Sequence, residues 1–465
     1  MDTFIPQRPE VDHREGIRSY DNVPEGSIRA KAPYVDHGTG RIDPRRYRDP
    51  AEAVLEWEKL WTKVWNLAGI ASDIPNRGDW FKYDLIKESF LIVRGDDDRI
   101  RAFYNVCPHR GNQIVRTDFG TANECFSCAF HGWKFGKDGG LLSVKEPETF
   151  RPEVLKEAPG LTEVRCDTWG GMVFINMDDE AEPLLDFLSV IPEHLAPYQL
   201  ENYRVVDDVE YIQEANWKTS FDAFVEFYHA DQIHPELGQA METYFCQYDL
   251  YPRGVSRMIL PLGNTPDKVE DRDTPNEVQE TMIRQWEGDP EEWKHLRGAE
   301  YKKAMVQVKR RLAERAGWTH CDDLDDDQMV DDLNYLIFPN VTTNTYSDVN
   351  YLQIFRPHPT DPMKCIWRSI TLVPPAKHEG FKPLELASLG QGNTIDAAEK
   401  DLSARPPIRR VTDPADTGFV LEQDHVLVPG VQRGIESRAF KGYLLSEQEI
   451  RIRHYLAEID RYLAK

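Results

Sequence analysis

Cysteine is scarce in this chain, with seven in 465 residues scattered singly or in near pairs from Cys107 to Cys365. An odd, dispersed set of this kind excludes the disulfide framework of a secreted scaffold and leaves reduced thiols available to metal. Positive charge is short as well: 56 Lys and Arg stand against 80 Asp and Glu, for a net charge of −24. A binder of phosphate backbone needs a basic footprint, so nucleic acid is excluded as a partner. No apolar run approaches the length required to span a bilayer, and the opening MDTFIPQRPEVDHREG has no apolar stretch behind a basic region. No membrane partner and a cytoplasmic location are therefore expected. A Gly-x-Gly-x-x-Gly dinucleotide fingerprint is missing too, and neither an internal repeat nor a low-complexity tract is present.

What is there reads as a globular chain. Hydrophobic residues make up 40% and aromatics 11%, enough for a sizeable core, and the length favours two domains over one. Residues 49–69 carry apolar side chains at helical spacing and run toward a strand. DWFKYDL, SFLIVRGDDDRIRAFYNV with a turn at Gly95 and Asp96, and WGGMVFINM then read as strands in quick succession. In the second half Asn216 to Ile233 reads as a helix, and YLQIFRPHP and CIWRSITLVP as neighbouring strands. A C-terminal helix follows a capping box of Ser446 and Glu449, with a stripe of Ile452, Tyr455, Leu456, Ile459 and Leu463. The fold class expected is α+β: a small antiparallel β domain over 46–180, a larger domain over 181–465 with a central antiparallel sheet flanked by helices, and an N-terminal arm over 1–45 packing on that larger domain. An acidic stretch, 265–332, reads as helices inserted on the solvent face, serving as a lid or an oligomer contact or as mere embellishment.

The chemistry lies first in CPHRGNQIVRTDFGTANECFSCAFHGWKFG, residues 107–136. Cys107 and His109, then Cys128 and His131, offer one thiolate and one imidazole from each of two loops. In a Rieske [2Fe–2S] centre two Cys hold one iron and two His the other, which raises the potential over an all-thiolate cluster. Gly111 and Gly132 allow tight turns beside such a cluster, and Trp133 can shield it from water, while Cys125 is assigned to packing. A Cys2His2 zinc site is the competing reading, but zinc fingers group Cys with Cys and His with His along the chain.

The second constellation is NWKTSFDAFVEFYHADQIHPE. His229 and His234 would point about 140° apart on one continuous helix, so the chain must bend between them, and Pro235 disfavours helical geometry at His234. Glu226 shares a face with His229 at i and i+3, and Asp222 extends that face one turn earlier. Two imidazoles call for a carboxylate to complete a facial triad, and with eighty acidic residues the sequence physics leaves its identity open.

The CPHRG and CAFHGW pair, together with the second constellation, resembles the Rieske non-haem iron oxygenases, large (alpha) subunit. The resemblance implies a [2Fe–2S] cluster on Cys107, His109, Cys128 and His131, followed by a catalytic domain with one mononuclear Fe(II) on His229 and His234. It picks Asp424 as third ligand, since LEQDHVLVPGVQRG is similar to the family's distal segment, with Glu422 and His425 as the nearest competitors. It also implies O2 as co-substrate, NAD(P)H oxidised by a separate flavin reductase with or without a ferredoxin, and a homotrimer or a trimer with small subunits (alpha3beta3). In such a trimer Glu226 bridges His229 and His131 of the partner subunit, and Asp222 and Glu226 form the catalytic pair. Many ring-hydroxylating members have Asp where this chain has Glu226, and some have Asn where it has Asp222. The carnitine and choline type of monooxygenase shares the Glu. These departures leave the choice of reaction open; mono- or dihydroxylation of an aromatic or other bulky apolar substrate is the main expectation, and oxidative N- or O-demethylation or C–N cleavage the second. An electron carrier without oxygenase activity, or a zinc scaffold, would differ in iron content.

Overall fold

A computed structural model describes residues 12, 15–20, 23, 27–239, 241–263, 274–297, 299–376 and 405–464. Parts of the expected arm and of the acidic stretch therefore lie outside the described residues. The first sheet has seven antiparallel strands, in the spatial order Asn66–Ile70, Met172–Asn176, Glu163–Trp169, Ile100–Tyr104, Glu88–Arg94, Asp79–Leu85 and Phe119–Thr121. A ribbon of three short strands, Phe126–Ser127, Lys134–Phe135 and Leu141–Ser143, stands beside it. Between the two a small separate core forms from Trp80, Leu91, Val93, Phe103, Phe126, Trp133 and Phe135, and it includes Cys107 and Cys128. The sulfurs thus sit where apolar packing keeps water away.

The second sheet has eight strands: Gln247–Leu250, Ser256–Leu260, Asp332–Ile337, Val341–Thr345, Asn350–Pro357, Cys365–Val373, Arg204–Gln213 and Arg409–Val411. All its pairings are antiparallel except the last, where Arg409–Val411 runs parallel to Arg204–Gln213. The two strands read from YLQIFRPHP and CIWRSITLVP are neighbours, with Tyr351 beside Thr371. The C-terminal helix, Ile450–Leu463, begins after the expected capping box. Near the N-terminus Asp49 caps Pro50–Glu56, and the chain reaches its first strand at Asn66. Described residues of the arm bond to the second sheet: the Ser19 hydroxyl donates to the carbonyls of Phe245 and Ile259, and Arg257 to that of Ala30.

Two elements differ from the sequence reading. Asn216 to Ile233 is not one helix but two, Trp217–Asp222 and Ala230–Ile233, separated by an irregular turn. Glu226 explains the break, because its Oε2 accepts the backbone N–H groups of Tyr228 and His229 and so caps the second helix from within the first one's path. The acidic stretch is helical as expected, but it is no solvent-side fringe. Its helices Glu277–Gln285 and Ala299–Ala316 place Met282, Ile283, Tyr301, Met305, Val308 and Leu312 in the main core. An apolar stripe on each helix outweighs the acidic residues around it. No helix among the described residues is long and apolar enough to cross a membrane.

Candidate cluster and metal centres

The two loops of the first constellation are built alike. Gly111 N–H donates to the Cys107 carbonyl at 2.9 Å and Cys107 N–H to the Asn112 carbonyl at 2.8 Å. Gly132 and Cys128, and Cys128 and Trp133, repeat both bonds at the same distances. Each loop turns on a glycine with φ of 76° or 71°, a region that strains any side chain, which is why both motifs end in Gly. The turn brings the His109 and His131 rings to 4.6 Å, and the Trp133 indole stacks on His109 at 4.8 Å, nearly parallel.

Burial pushes the Cys107 thiol up, while backbone N–H groups of His109 and Arg110 act on the sulfur in the other direction. For Cys128 burial also raises, but N–H groups of Phe130 and His131, with Cys107 and the Asn112 amide, prevail and lower it. The Asn112 amide lies 3.5 Å from that sulfur. Both sulfurs thus sit beside backbone N–H donors, which prevail at Cys128 and are outweighed by burial at Cys107. The His109 Nδ1 is buried without a hydrogen-bond partner among the described residues. Two donor-ringed thiols and an orphaned imidazole nitrogen fit a metal cluster better than they fit an apolar core.

The second constellation draws on both short helices and on a helix from far along the chain. Ala230–Ile233 leaves His229 at its start and His234 just past its end, with non-helical φ −119° and ψ 63° at His234, as Pro235 requires. The helix Phe419–Ile435 brings in Asp424. One ligand atom from each of His229, His234 and Asp424 lies within 4.8 Å of the other two. His229 Nε2 is 3.7 Å from Asp424 Oδ1, and His234 Nε2 is 3.4 Å from Oδ2.

The other imidazole nitrogens are taken. His229 Nδ1 meets the Glu226 carboxylate, and His234 Nδ1 lies 2.7 Å from Gln423 Oε1. In the neutral form of each ring, donation from Nδ1 leaves the Nε2 lone pair facing a buried carboxylate. Burial works to lower His229, but Glu226, then Asp424, outweigh it and raise it to about 9. Asp424 Oδ1 has no hydrogen-bond partner among the described residues. Three ligand atoms converging around an unsatisfied carboxylate oxygen fit a divalent metal.

Of the competitors, His425 turns away to bond Gln213 and pack on Trp367, and Glu422 is not part of the convergence. Asp222 is buried elsewhere: its Oδ1 accepts the Tyr455 hydroxyl at 2.5 Å, and burial pushes it up to about 7. It does not line the cavity onto which the metal-type ligands open. That cavity, of about 130 Å³, lies between the short helices and one face of the eight-stranded sheet. Phe224, Phe227, Leu237, Met241, Val420 and Leu421 line it on the helix side. Met258, Leu260, Asp332, Asn334, Asn344, Tyr351, Gln353 and Ser369 line it from the sheet. Among the described residues, none of 274–331 does so.

The sequence reading missed Gln423, Gln432 and the sheet side of the cavity. Gln432 joins the parts, its Oε1 accepting the Asn216 N–H at 3.0 Å and the Thr219 hydroxyl at 2.7 Å. It thereby ties the helix that bears Asp424 to the element that leads to the histidines.

Comparison with known proteins finds a family model over each half of the chain. The family model "Ring hydroxylating alpha subunit (catalytic domain)" matches residues 200–465, and "Rieske [2Fe-2S] domain" matches 64–159. The chain is similar to the glycine betaine monooxygenase oxygenase subunit of Chromohalobacter salexigens, 30% identical over 43% of this chain and 44% of that protein. It is 33% identical to the biphenyl 2,3-dioxygenase alpha subunit of Rhodococcus jostii over the same shares. The chain spans about half the length of the curated relatives it matches. Among solved structures, a quaternary ammonium Rieske monooxygenase superposes with a TM-score of 0.64 at 19% identity, covering 91% of this chain and 95% of that one. A naphthalene 1,2-dioxygenase variant gives 0.62 at 19%, covering 93% and 94%. At that identity the likeness speaks for the fold.

Proposed function

We propose, for a chain that belongs to the ring hydroxylating alpha subunits, that it is the terminal oxygenase of a multi-protein system hydroxylating an aromatic or other bulky apolar substrate with O2. The family's cofactors are a Rieske [2Fe–2S] cluster and a mononuclear iron. In our assignment Cys107, His109, Cys128 and His131 hold the first, and His229, His234 and Asp424 hold the second. We divide the chain accordingly into an arm (1–45), a cluster domain (46–180) and a catalytic domain (181–465). When bound, the two groups supply stored electrons and the activation of O2, which is kinetically inert toward closed-shell organic molecules.

The chain's own residues do the rest. Glu226 and Gln423 fix the tautomers of His229 and His234, so that both Nε2 atoms stay available and a carboxylate completes a set that leaves coordination positions open. Phe224, Phe227, Leu237 and Met241 exclude water and seat an apolar body. Asp222, bonded by Tyr455, acts behind the site as a positioning residue on the helix that precedes the ligands.

Exposed apolar side chains flank both centres: Val106 and Phe130 at the cluster loops, and Tyr228, Val426, Leu427 and Val431 near the metal ligands. They support an assembly in which these faces are covered by other copies, a homotrimer or a trimer with small subunits. In it Glu226 would join His229 to His131 of the partner subunit. With no dinucleotide fingerprint in the chain, electrons would come from a reductase, with or without a ferredoxin. Glu at position 226, and relatives acting on glycine betaine and carnitine, favour a second reading, oxidative demethylation or C–N cleavage by monooxygenation.

The convergence of His229, His234 and Asp424 on one cavity, in a chain that also builds the paired cluster loops, carries the proposal. Its test is metal content. The parent should hold three irons per chain, and His229→Ala should hold two, keep the cluster spectrum and lose substrate-coupled O2 uptake. Loss of the cluster in that variant would mean His229 belongs to the other centre.

A further inference from the structure

The residue that follows the glycine in each cluster loop reaches across to the other loop. Asn112 and Trp133 hold equivalent places, their carbonyls accepting the backbone N–H of Cys107 and of Cys128, each at 2.8 Å. The Trp133 indole crosses to stack on His109, and the Asn112 side chain crosses to Cys128, with Nδ2 3.5 Å from Sγ. That amide is fixed in place. Its Nδ2 also donates to the Gln113 carbonyl at 2.7 Å, so its two N–H groups serve one partner each. Its Oδ1 accepts from Arg116 Nη2 at 3.0 Å. A guanidinium only donates, so the amide oxygen must face Arg116 and the nitrogen must face the sulfur. Asn112 is half-buried and Arg116 exposed.

A structural role in the turn does not call for this side chain. The bond from the Cys107 N–H ends on the Asn112 carbonyl, and Trp133 keeps the same backbone bond in the other loop. What the amide adds is an N–H aimed at a sulfur. One-electron reduction of a bound cluster breaks no bond and adds one negative charge, part of which falls on the sulfurs. A donor to a sulfur therefore stabilises the reduced form more than the oxidised one, and hydrogen bonds to the sulfurs are among the factors that set cluster potentials. We propose that Asn112 is a positioning residue that raises the reduction potential of the cluster by donating Nδ2–H to Cys128 Sγ, and that Arg116 holds it in the donating orientation. The inference rests on the assignment of Cys107, His109, Cys128 and His131 to the cluster, and goes beyond it in naming the side chain that tunes its readiness to accept an electron.

The test is a potential, without turnover. Full-length parent, Asn112→Leu and Asn112→Asp are titrated anaerobically with dithionite and mediators, following the EPR signal of the reduced cluster. Losing the hydrogen bond in Asn112→Leu should shift the equilibrium about three- to tenfold toward the oxidised form, about 30–60 mV at 59 mV per decade for one electron. Asn112→Asp should fall further, since it loses the N–H and adds negative charge. At about 0.5 M salt, where an exposed charge is screened, Arg116→Ala should still lower the potential of the parent but not that of Asn112→Leu. An unchanged or raised potential in Asn112→Leu overturns the assignment of Asn112, and an equal effect of Arg116→Ala in both backgrounds overturns that of Arg116. Should the Asn112 variants not take up the cluster, the parent decides. With nitrogen-15 in the side-chain amide of its asparagines, the reduced cluster should show a nitrogen-15 coupling in pulsed EPR, and its absence overturns the proposal. A parent that shows no reduced-cluster signal sinks the cluster assignment and Asn112 with it, whereas an intact signal at unchanged potential in Asn112→Leu sinks Asn112 alone.

Discussion

Replacing Lys218 by Met should destabilise the catalytic half by about 3–5 kcal/mol, the usual result of leaving one member of a buried ion pair without the other. The structure sets that scale. The Lys218 and Glu56 side chains are 1% and 4% exposed, and Nζ stands 2.5 Å from Oε1. Glu56 Oε2 also accepts the Trp217 indole N–H at 3.0 Å, and the ammonium lies 5.0 Å from the Trp217 ring centre. Without Lys218, then, Glu56 keeps a single neutral donor in a site closed to water. Removing the charge as well, in Lys218→Met with Glu56→Leu, should recover much of the loss, with the residue reflecting the orphaned indole at about 1–3 kcal/mol. For a domain this large each kcal/mol moves Tm by roughly 2–4 °C, so the single variant should melt about 10 °C lower and the double variant closer to the parent. Near-ultraviolet circular dichroism at one fixed heating rate reads both. The pair ties Pro50–Glu56 to Trp217–Asp222, so mononuclear iron loading should drop with Tm. A single variant within about 3 °C of the parent, or a double variant worse than either single, would refute the reasoning.

Two further outcomes follow from titrating groups. His229 is raised to about 9 chiefly because Glu226 outweighs burial, so a metal ion must displace a proton there. Cobalt(II) affinity of enzyme stripped at the mononuclear site should rise about tenfold per pH unit between pH 7 and 9 and then level off. Glu226→Gln should move the plateau to lower pH; a flat profile in the parent would sink the argument. Asp222 is pushed by burial up to about 7, above the ordinary value of about 3.9. The folded protein therefore holds that proton longer than the unfolded one, and stability is lost as pH rises from about 4 to about 7. Asp222→Asn should flatten this part of the Tm–pH curve, and an unchanged slope would assign the dependence to other groups.

How much of this was legible in the sequence depends on how far apart the cooperating residues are. The paired turns of the candidate cluster loops could be read almost whole, since each Cys, His and Gly lie within five residues and both loops repeat the same two backbone bonds. His229 and His234 were legible for the same reason, down to the helix stop imposed by Pro235. What failed nearby was the continuous helix. Propensity alone does not show that Glu226 will spend its carboxylate on two backbone N–H groups and break the run. The acidic stretch misled in the opposite sense, because net charge drew attention from the stripe of Tyr301, Met305, Val308 and Leu312. Asp332 was invisible: its placement in the cavity depends on register with Leu260, 72 positions earlier by subtraction of the two numbers, and no local pattern encodes that.

Asp424 is the instructive case, since resemblance singled it out where residue chemistry did not. A physical signal was present. Val420, Asp424, Val428 and Gln432 recur every four residues, the period of one helix face, and all four are buried. Adjacent helical residues point about 100° apart, so on that helix Asp424 and His425 cannot serve the same centre. A carboxylate on an otherwise inward stripe needs a charge to meet, and two imidazoles were already waiting for one. Pro429 hid the pattern. A proline in the run reads as a helix break, yet the structure continues through it to Ile435. The i+4 stripe should therefore have outranked the proline, because burial of a whole face is worth more than the one backbone hydrogen bond a proline removes.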